Sequence, residues 1–233
     1  MNKTEQEKLF FKRYPDLVKH LVINDLVEVP HPNISVTARS KELYFSHLFP
    51  DLEKSKINKN INNKTILDIG CGYNPLFDES FINYVVNNKS LKSKIIGIDI
   101  VSMSMPNYME KSIYNFNQLS DLILINNFLY FWVNEPKKLL QIYKNLYKNL
   151  NNNGEVRIFP VYMDNYYMND NTLKKYLNDN FSIRMIRPNY IAEDPFYQDK
   201  EQDSIYVLTG LGKKEKKINY MLNSHTLILK KIN

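Results

Sequence analysis

The chain has 233 residues, with 31 lysines and arginines against 25 aspartates and glutamates, a formal net charge of +6. Hydrophobic residues make up 43% and charged residues 24%, which excludes a wholly disordered chain and suits one domain with a small addition. A single cysteine excludes an intramolecular disulfide, and no Cys/His spacing suggests a metal site.

The opening stretch MNKTEQEKLFFKRYP has no long apolar run and no small-residue cleavage site, and nowhere does the sequence approach a membrane-spanning apolar run. A cytoplasmic protein is expected. Thr4-Glu-Gln-Glu7 forms a capping box that opens a helix. Leu9, Phe10, Leu17, Val18, Leu21 and Val22 recur at helical spacing, and Pro15 divides that stretch in two. VPHPNIS, residues 29–35, reads as an extended connector. Thr37 to Leu48 is expected to be helical, and the Lys- and Asn-rich Lys54 to Lys64 to be a linker or loop. Residues 1–60 are thus read as an N-terminal helical cap, and residues 61–233 as the main domain.

From residue 64 the pattern changes to short apolar strands alternating with helices. Ile66 to Ile69, Lys94 to Ile100, Asp121 to Asn126 and Glu155 to Phe159 are the buried strands, with a short, weakly marked one near Tyr108 to Lys111. Pro75 to Val86 fits a helix. A second helix is capped by Asn134, carries Pro136 in its first turn, and shows an apolar face of Leu139, Leu140, Tyr143, Leu146, Tyr147 and Leu150. Asn151 to Gly154 ends it. Beyond, Asn171 to Leu177 is a short helix, and Phe181 to Ile186, Ser204 to Leu208 and Thr226 to Lys231 are strand candidates. The alternation predicts a parallel sheet with helices on both faces.

The stretch TILDIGCGYNP, Thr65 to Pro75, carries the chemistry. The chain has only six glycines, and Gly70 and Gly72 stand one residue apart where a buried strand must turn toward a helix. Glycine tolerates that turn and lets a ligand approach the backbone. In an open parallel sheet this is where a nucleotide-like ligand sits. The second strand ends in Asp99, a carboxylate able to accept from both hydroxyls of a ribose. A dinucleotide motif wants a third small residue, but the corresponding position holds Pro75. Asp68 at the strand end would repel a pyrophosphate and welcome an ammonium. The pattern therefore favours S-adenosylmethionine over a dinucleotide.

LDIGCG, Leu67 to Gly72, resembles the first motif of class I S-adenosylmethionine-dependent methyltransferases. IIGIDI, Ile95 to Ile100, resembles their second strand with its ribose-binding acid. Lys111 to Trp132 resembles their adenine loop and fourth strand, and the helix from Glu135 followed by NNNGEVRIFP resembles their next helix, glycine turn and fifth strand. The match covers about residues 64–161. It implies a Rossmann-like fold, a mostly parallel seven-stranded sheet with one antiparallel strand, and S-adenosyl-L-methionine as cofactor. It further implies that Asp68 holds the methionine ammonium and that Gly70, Cys71 and Gly72 give close backbone contact. Asp99 would bind the ribose and Ile100 would pack on the adenine. Ser112 and Ile113 would stand where the family often has an adenine-binding acid. Asn126, Leu129 and Tyr130 would lie beside the methionine portion. Asn74 replaces a common third glycine.

The resemblance implies methyl transfer to an O, N or S atom. The cofactor is already activated, so positioning dominates and no catalytic motif need be visible. The residues Asn126-Asn-Phe-Leu-Tyr130 lack the Pro-Pro-aromatic signature of amino-directed DNA methylation. His31 and His47 in the cap, and Tyr130, are the candidate catalytic groups; a packing role is the simpler account of each histidine. Arg39 and Tyr44 either reach the site or lie on a solvated helix face. Tyr130-Phe-Trp132 and Tyr162 to Tyr167 divide between a substrate wall and core. An enclosing cap favours a small-molecule acceptor. The positive charge, with Lys213, Lys214, Lys216 and Lys217, keeps RNA or protein as alternatives. A degenerate, methyltransferase-like binding subunit with a partner is a third reading.

Overall fold

The computed structural model describes residues 41–72, 80–99, 107–126, 129, 133, 135–162, 170–188 and 224–232. Seven strands form one sheet: β1 (Thr65–Ile69), β2 (Lys94–Asp99), β3 (Tyr108–Glu110), β4 (Ser120–Asn126), β5 (Leu150–Tyr162), β6 (Phe181–Ile186) and β7 (Ser224–Lys231). Their spatial order is β3-β2-β1-β4-β5-β7-β6. The pairs among β1 to β5 are parallel, while β7 runs antiparallel to both β5 and β6. The one reversed strand is therefore β7, and Ser204 to Leu208 lies outside the described residues. The sheet is of the mostly parallel, Rossmann-like kind that the resemblance implies.

The central strands TILDI, KIIGID and SDLILIN are nearly continuous apolar runs because both of their faces are covered. Alternation divides them cleanly. Leu67, Ile69, Ile96, Ile98, Ile123 and Ile125 enter one core with the helices α4 (Pro136–Lys148) and α5 (Asn171–Asn180). Ile66, Ile95, Leu122, Leu124 and Phe159 enter the other, under α1 (Lys41–Leu48), α2 (Lys54–Ile61) and α3 (Phe81–Asn87). No helix among the described residues is long and apolar enough to cross a membrane.

Four sequence expectations need correction, the last being the helix expected over Pro75 to Val86. Lys54 to Lys64 is not simply a loop: Lys54–Ile61 is helix α2. Ile57 and Ile61, one helical turn apart, are both buried, and this single pair anchors an otherwise polar segment. Helix α4 is capped at Glu135, not at Asn134, with Pro136 as its first residue. Its buried face also includes Ile142, beside Leu139, Tyr143 and Leu146. Strand β5 starts at Leu150, earlier than expected. A register shift opposite Ser120/Leu122 and the positive φ of Asn153 absorb the turn residues into it. Helix α3 begins at Phe81 after Ser80, whose Oγ accepts from the Asn83 N–H at 3.2 Å.

Two polar clusters fasten loops to this frame. Arg157 on β5 is 1% exposed. It donates to the Leu48 carbonyl at 2.8 Å, to Asp51 Oδ1 at 2.6 Å and Oδ2 at 3.2 Å, and to Glu155 Oε1. Its guanidinium also lies 4.6 Å from the Phe49 ring centroid. Burial pushes the Asp51 carboxyl up, but Arg157, with Arg184, outweighs it and holds the group below its ordinary value. On the opposite face, Asn149 at the end of α4 holds the loop between β3 and β4. Its Nδ2 donates to the Phe116 carbonyl at 3.1 Å and its Oδ1 accepts from the Gln118 N–H at 2.8 Å. Asn145 Nδ2 donates to the Ile113 carbonyl at 2.9 Å.

Candidate functional site

The glycine turn follows β1 at the carboxyl end of the sheet. Gly70 and Gly72 have φ of 70° and 71°, in the left-handed region where a side chain is strained. The turn is bonded to β2: the Gly70 N–H donates to the Ile98 carbonyl at 2.8 Å, and the Gly72 N–H to Asp99 Oδ2 at 3.1 Å. Asp99 thus stands at the turn, half-buried, in the position read for a ribose-binding acid. Cys71 between the glycines is buried. A Cβ on Gly97 would come within 2.8 Å of Cys71 Sγ, Ile82 Cδ1 and Tyr108 Cδ1, so this strand glycine makes room for the turn. Burial, and then Asp99 and Asp68, push the Cys71 thiol well above its ordinary value. It stays protonated, which fits a packing role and not a nucleophile.

Asp68 and Asn126 share one face of the sheet, and α1 lies on that same face. Asp68 is fully buried, and the Tyr44 hydroxyl lies 2.7 Å from its Oδ1 and 2.8 Å from its Oδ2. Tyr44 is fixed by stacking on Phe81, with ring centroids 4.5 Å apart and an interplanar angle of 4°. A solvated helix face is thereby excluded for Tyr44. Burial raises the Asp68 carboxyl from 3.8 to about 7; the Tyr44 hydrogen bond pulls it down and the Asp99 charge pushes it up. A carboxylate so poorly solvated gains much from a cationic partner.

One turn along α1, His47 is 1% exposed. Its ring stacks on Phe159 at 4.1 Å, its Nδ1 lies 3.2 Å from Asn126 Oδ1, and its carbonyl accepts from the Thr226 hydroxyl. The other half of the Asn126 amide, Nδ2, is buried without a hydrogen-bond partner among the described residues. The structure thus brings Asp68, Gly70, Cys71, Gly72, Asp99, Asn126 and His47 to the carboxyl ends of β1, β2 and β4.

The remaining predicted residues divide differently. Ser112 is half-buried, and its Oγ accepts from the Tyr114 N–H at 3.3 Å. Ile113 and Leu129 are buried in the core on the α4 side. Ile100, Tyr130, His31 and Arg39 lie outside the described residues, as do Phe131 and Trp132, residues 163–169 and the 213–217 lysines. No group of three or more His, Cys, Asp or Glu residues suited to a metal exists among the described residues. Two features escaped sequence reasoning, the Tyr44–Asp68 bond and the His47–Asn126 pair. The only signal was the three-residue spacing of Tyr44 and His47, which puts both on one helix face.

No family model and no curated protein matches the sequence. Among solved structures, the chain is similar to the N-methyltransferase NodS of Bradyrhizobium japonicum WM9 in complex with S-adenosyl-L-homocysteine. The identity is 11% over 76% of this chain and 82% of that one, with a TM-score of 0.42. A SAM-dependent methyltransferase of Archaeoglobus fulgidus matches at 14% identity over 78% and 94% of the two chains, with a TM-score of 0.43. Magnesium protoporphyrin IX methyltransferase of Synechocystis PCC 6803, solved with bound SAM, matches at 13% over 75% and 73%, with a TM-score of 0.44.

Proposed function

We propose that the chain is an S-adenosylmethionine-dependent methyltransferase. The observation that carries this reading is the pair of carboxylates around a left-handed glycine turn, Asp68 buried beneath it and Asp99 bonded to the Gly72 N–H. Two anionic acceptors suit a ligand with an ammonium and a ribose diol. They disfavour a pyrophosphate, which such a site would repel. In this reading Asp68 takes the ammonium and Asp99 the ribose hydroxyls. Gly70, Cys71 and Gly72 allow close backbone approach. Ile100 and Ser112 serve the adenine side and Asn126 the methionine side, while Ile113 and Leu129 pack behind them in the core. When bound, the cofactor supplies an activated methyl group for in-line displacement by an O, N or S atom of the acceptor.

The protein's own share is binding and orientation, which supplies about 7–11 kcal/mol in favourable cases. Residues 1–60 are read as a cap. Its described part supports this, since Tyr44 and His47 are buried over the strand ends. A site roofed in this way favours a small-molecule acceptor over RNA or protein.

Calorimetric titration with S-adenosylmethionine and S-adenosylhomocysteine tests the reading. Micromolar binding is expected, with at least an approximately tenfold loss in Asp99→Ala, equivalent to one charge-assisted hydrogen bond. A folded wild-type protein that binds neither ligand refutes it. Steeply salt-dependent RNA binding would overturn the small-molecule preference.

A further inference from the structure

Asn126 ends β4 with 4% of its surface exposed, and its Nδ2 has no hydrogen-bond partner among the described residues. Buried donors are almost always paired, and an unpaired one marks a position where something else supplies the acceptor. The opposite end of the same amide is fixed. Asn126 Oδ1 faces His47 Nδ1 at 3.2 Å, and in the tautomer with the proton on Nδ1 that atom donates to the amide oxygen. Turning the amide over would set two donors against each other. His47 cannot easily follow such a turn, because its ring is stacked on Phe159 and its carbonyl is held by Thr226. In that tautomer the amide is held with Nδ2–H as the outward donor.

Asp68 supplies the complementary group. It lies on β1, next to β4, on the same face of the sheet. Register pairs Asp68 with Leu124, so Asn126 stands two residues farther along the neighbouring strand, about 8 Å away between Cα atoms by strand geometry. One side chain accepts and the other donates. This pairing fits a zwitterionic α-amino acid group, whose ammonium and carboxylate sit on one carbon. Resting on the cofactor reading above, we propose that His47 is a positioning residue. It locks the Asn126 amide so that Nδ2–H bonds the carboxylate of the ligand's amino-acid portion while Asp68 takes the ammonium.

The test compares two probes on the full chain. S-adenosylhomocysteine carries the amino-acid tail, and 5′-methylthioadenosine lacks it. His47→Phe keeps a ring against Phe159 and removes the Nδ1 donor. His47→Asn restores an N–H on the atom bonded to Cγ, where Nδ1 stood. Asn126→Leu removes the amide at nearly constant volume and carries the test where His47→Phe fails to fold. Calorimetry is expected to give about tenfold weaker S-adenosylhomocysteine binding in His47→Phe and Asn126→Leu, with substantial recovery in His47→Asn. Binding of 5′-methylthioadenosine should not change in any variant. Equal loss of both probes would make His47 a purely structural residue and overturn the proposal, as would undiminished S-adenosylhomocysteine binding. A wild-type protein that binds neither probe refutes the cofactor reading itself, which is a separate and distinguishable failure.

Discussion

Replacing Asp68 by asparagine should make the ligand-free protein more stable and the ligand-bound state weaker. Asp68 is fully buried, meets one neutral donor, and lies close enough to Asp99 to feel its charge. Its carboxyl is raised from 3.8 to about 7 in the fold. The sign follows from proton linkage. Between those two values the folded state holds a proton that the unfolded state has released, so stability falls as pH rises from about 4 through about 7 and is flat beyond. The full loss corresponds to roughly 4 kcal/mol, at 1.36 kcal/mol for each factor of ten in proton affinity. Asparagine carries no charge, still accepts from Tyr44, and avoids this loss.

Asp68→Asn should therefore exceed wild type in stability by up to roughly 4 kcal/mol at pH 8, about 8–16 °C in Tm for a chain of this size, and match it near pH 4. Titrating groups remote from Asp68 are common to both proteins and cancel in the difference, leaving only its coupling to Asp99 and Cys71. Urea unfolding at the two pH values measures it. The same variant should bind S-adenosylmethionine at least a hundredfold more weakly, because the ligand's ammonium loses its buried counter-charge. For wild type, binding should strengthen as pH rises toward about 7, where the carboxylate forms without assistance. A stability gap that is the same at pH 4 and pH 8, or a variant less stable than wild type at pH 8, would refute this account of Asp68.

Tyr44→Phe keeps the stacking on Phe81 but removes the bond that lowers the Asp68 carboxyl, so the midpoint of the pH dependence of cofactor binding should move upward, as titrations from pH 6 to 9 will record. Asn149→Ala leaves the Phe116 carbonyl and the Gln118 N–H without their partner, and should cost about 2–4 kcal/mol by urea unfolding. The same change should weaken binding of the nucleoside part, since Ser112 and Ile113 lie on the loop it holds. Arg157→Met strands the Asp51 carboxylate and should cost about 3–5 kcal/mol in the same assay; adding Asp51→Asn should recover part of that. Native Cys71 should resist thiol-disulfide reagents at pH 8 and react fully in urea, because its thiol is buried and stays protonated.

The glycine turn and the buried strands were legible because their causes are local. A pair of glycines one residue apart, a carboxylate two residues earlier and a second strand ending in Asp99 are all visible along the chain. The reversed strand, Thr226 to Lys231 in the sequence reading, was legible as a strand but not in its direction, since direction is set by partners distant in sequence. Helix α2 was hidden by composition: lysines and asparagines suggest a loop, and only Ile57 and Ile61 carry the helical period. Arg157 gave no signal at all. A charged residue inside EVRIF reads as the solvent side of an alternating strand, and its partner Asp51 is 106 residues away. The same distance problem hid His47–Asn126, 79 residues apart, and Tyr44–Asp68, 24 apart.

These hidden contacts share one element, and that changes what the sheet alone can do. A bare Rossmann-like sheet would present Asp68 and Asn126 at its carboxyl edge with solvent as their partner. Helix α1 removes that solvent. At one position it gives Asp68 a neutral donor, and one turn later it fixes the Asn126 amide through His47. Directly after its last turn, the Leu48 carbonyl and the Asp51 carboxylate are gripped by Arg157 on β5. In the reading proposed above, the segment that roofs the site is tied to the sheet by an ionic clamp whose centre, Arg157, is nearly fully buried, its Tyr44 hydroxyl opposes the effect of burial on the Asp68 carboxyl, and its His47 ring meets the Asn126 amide. On that reading ligand recognition depends on α1 as much as on the glycine turn, and an isolated sheet lacking residues 41–52 should not reproduce it.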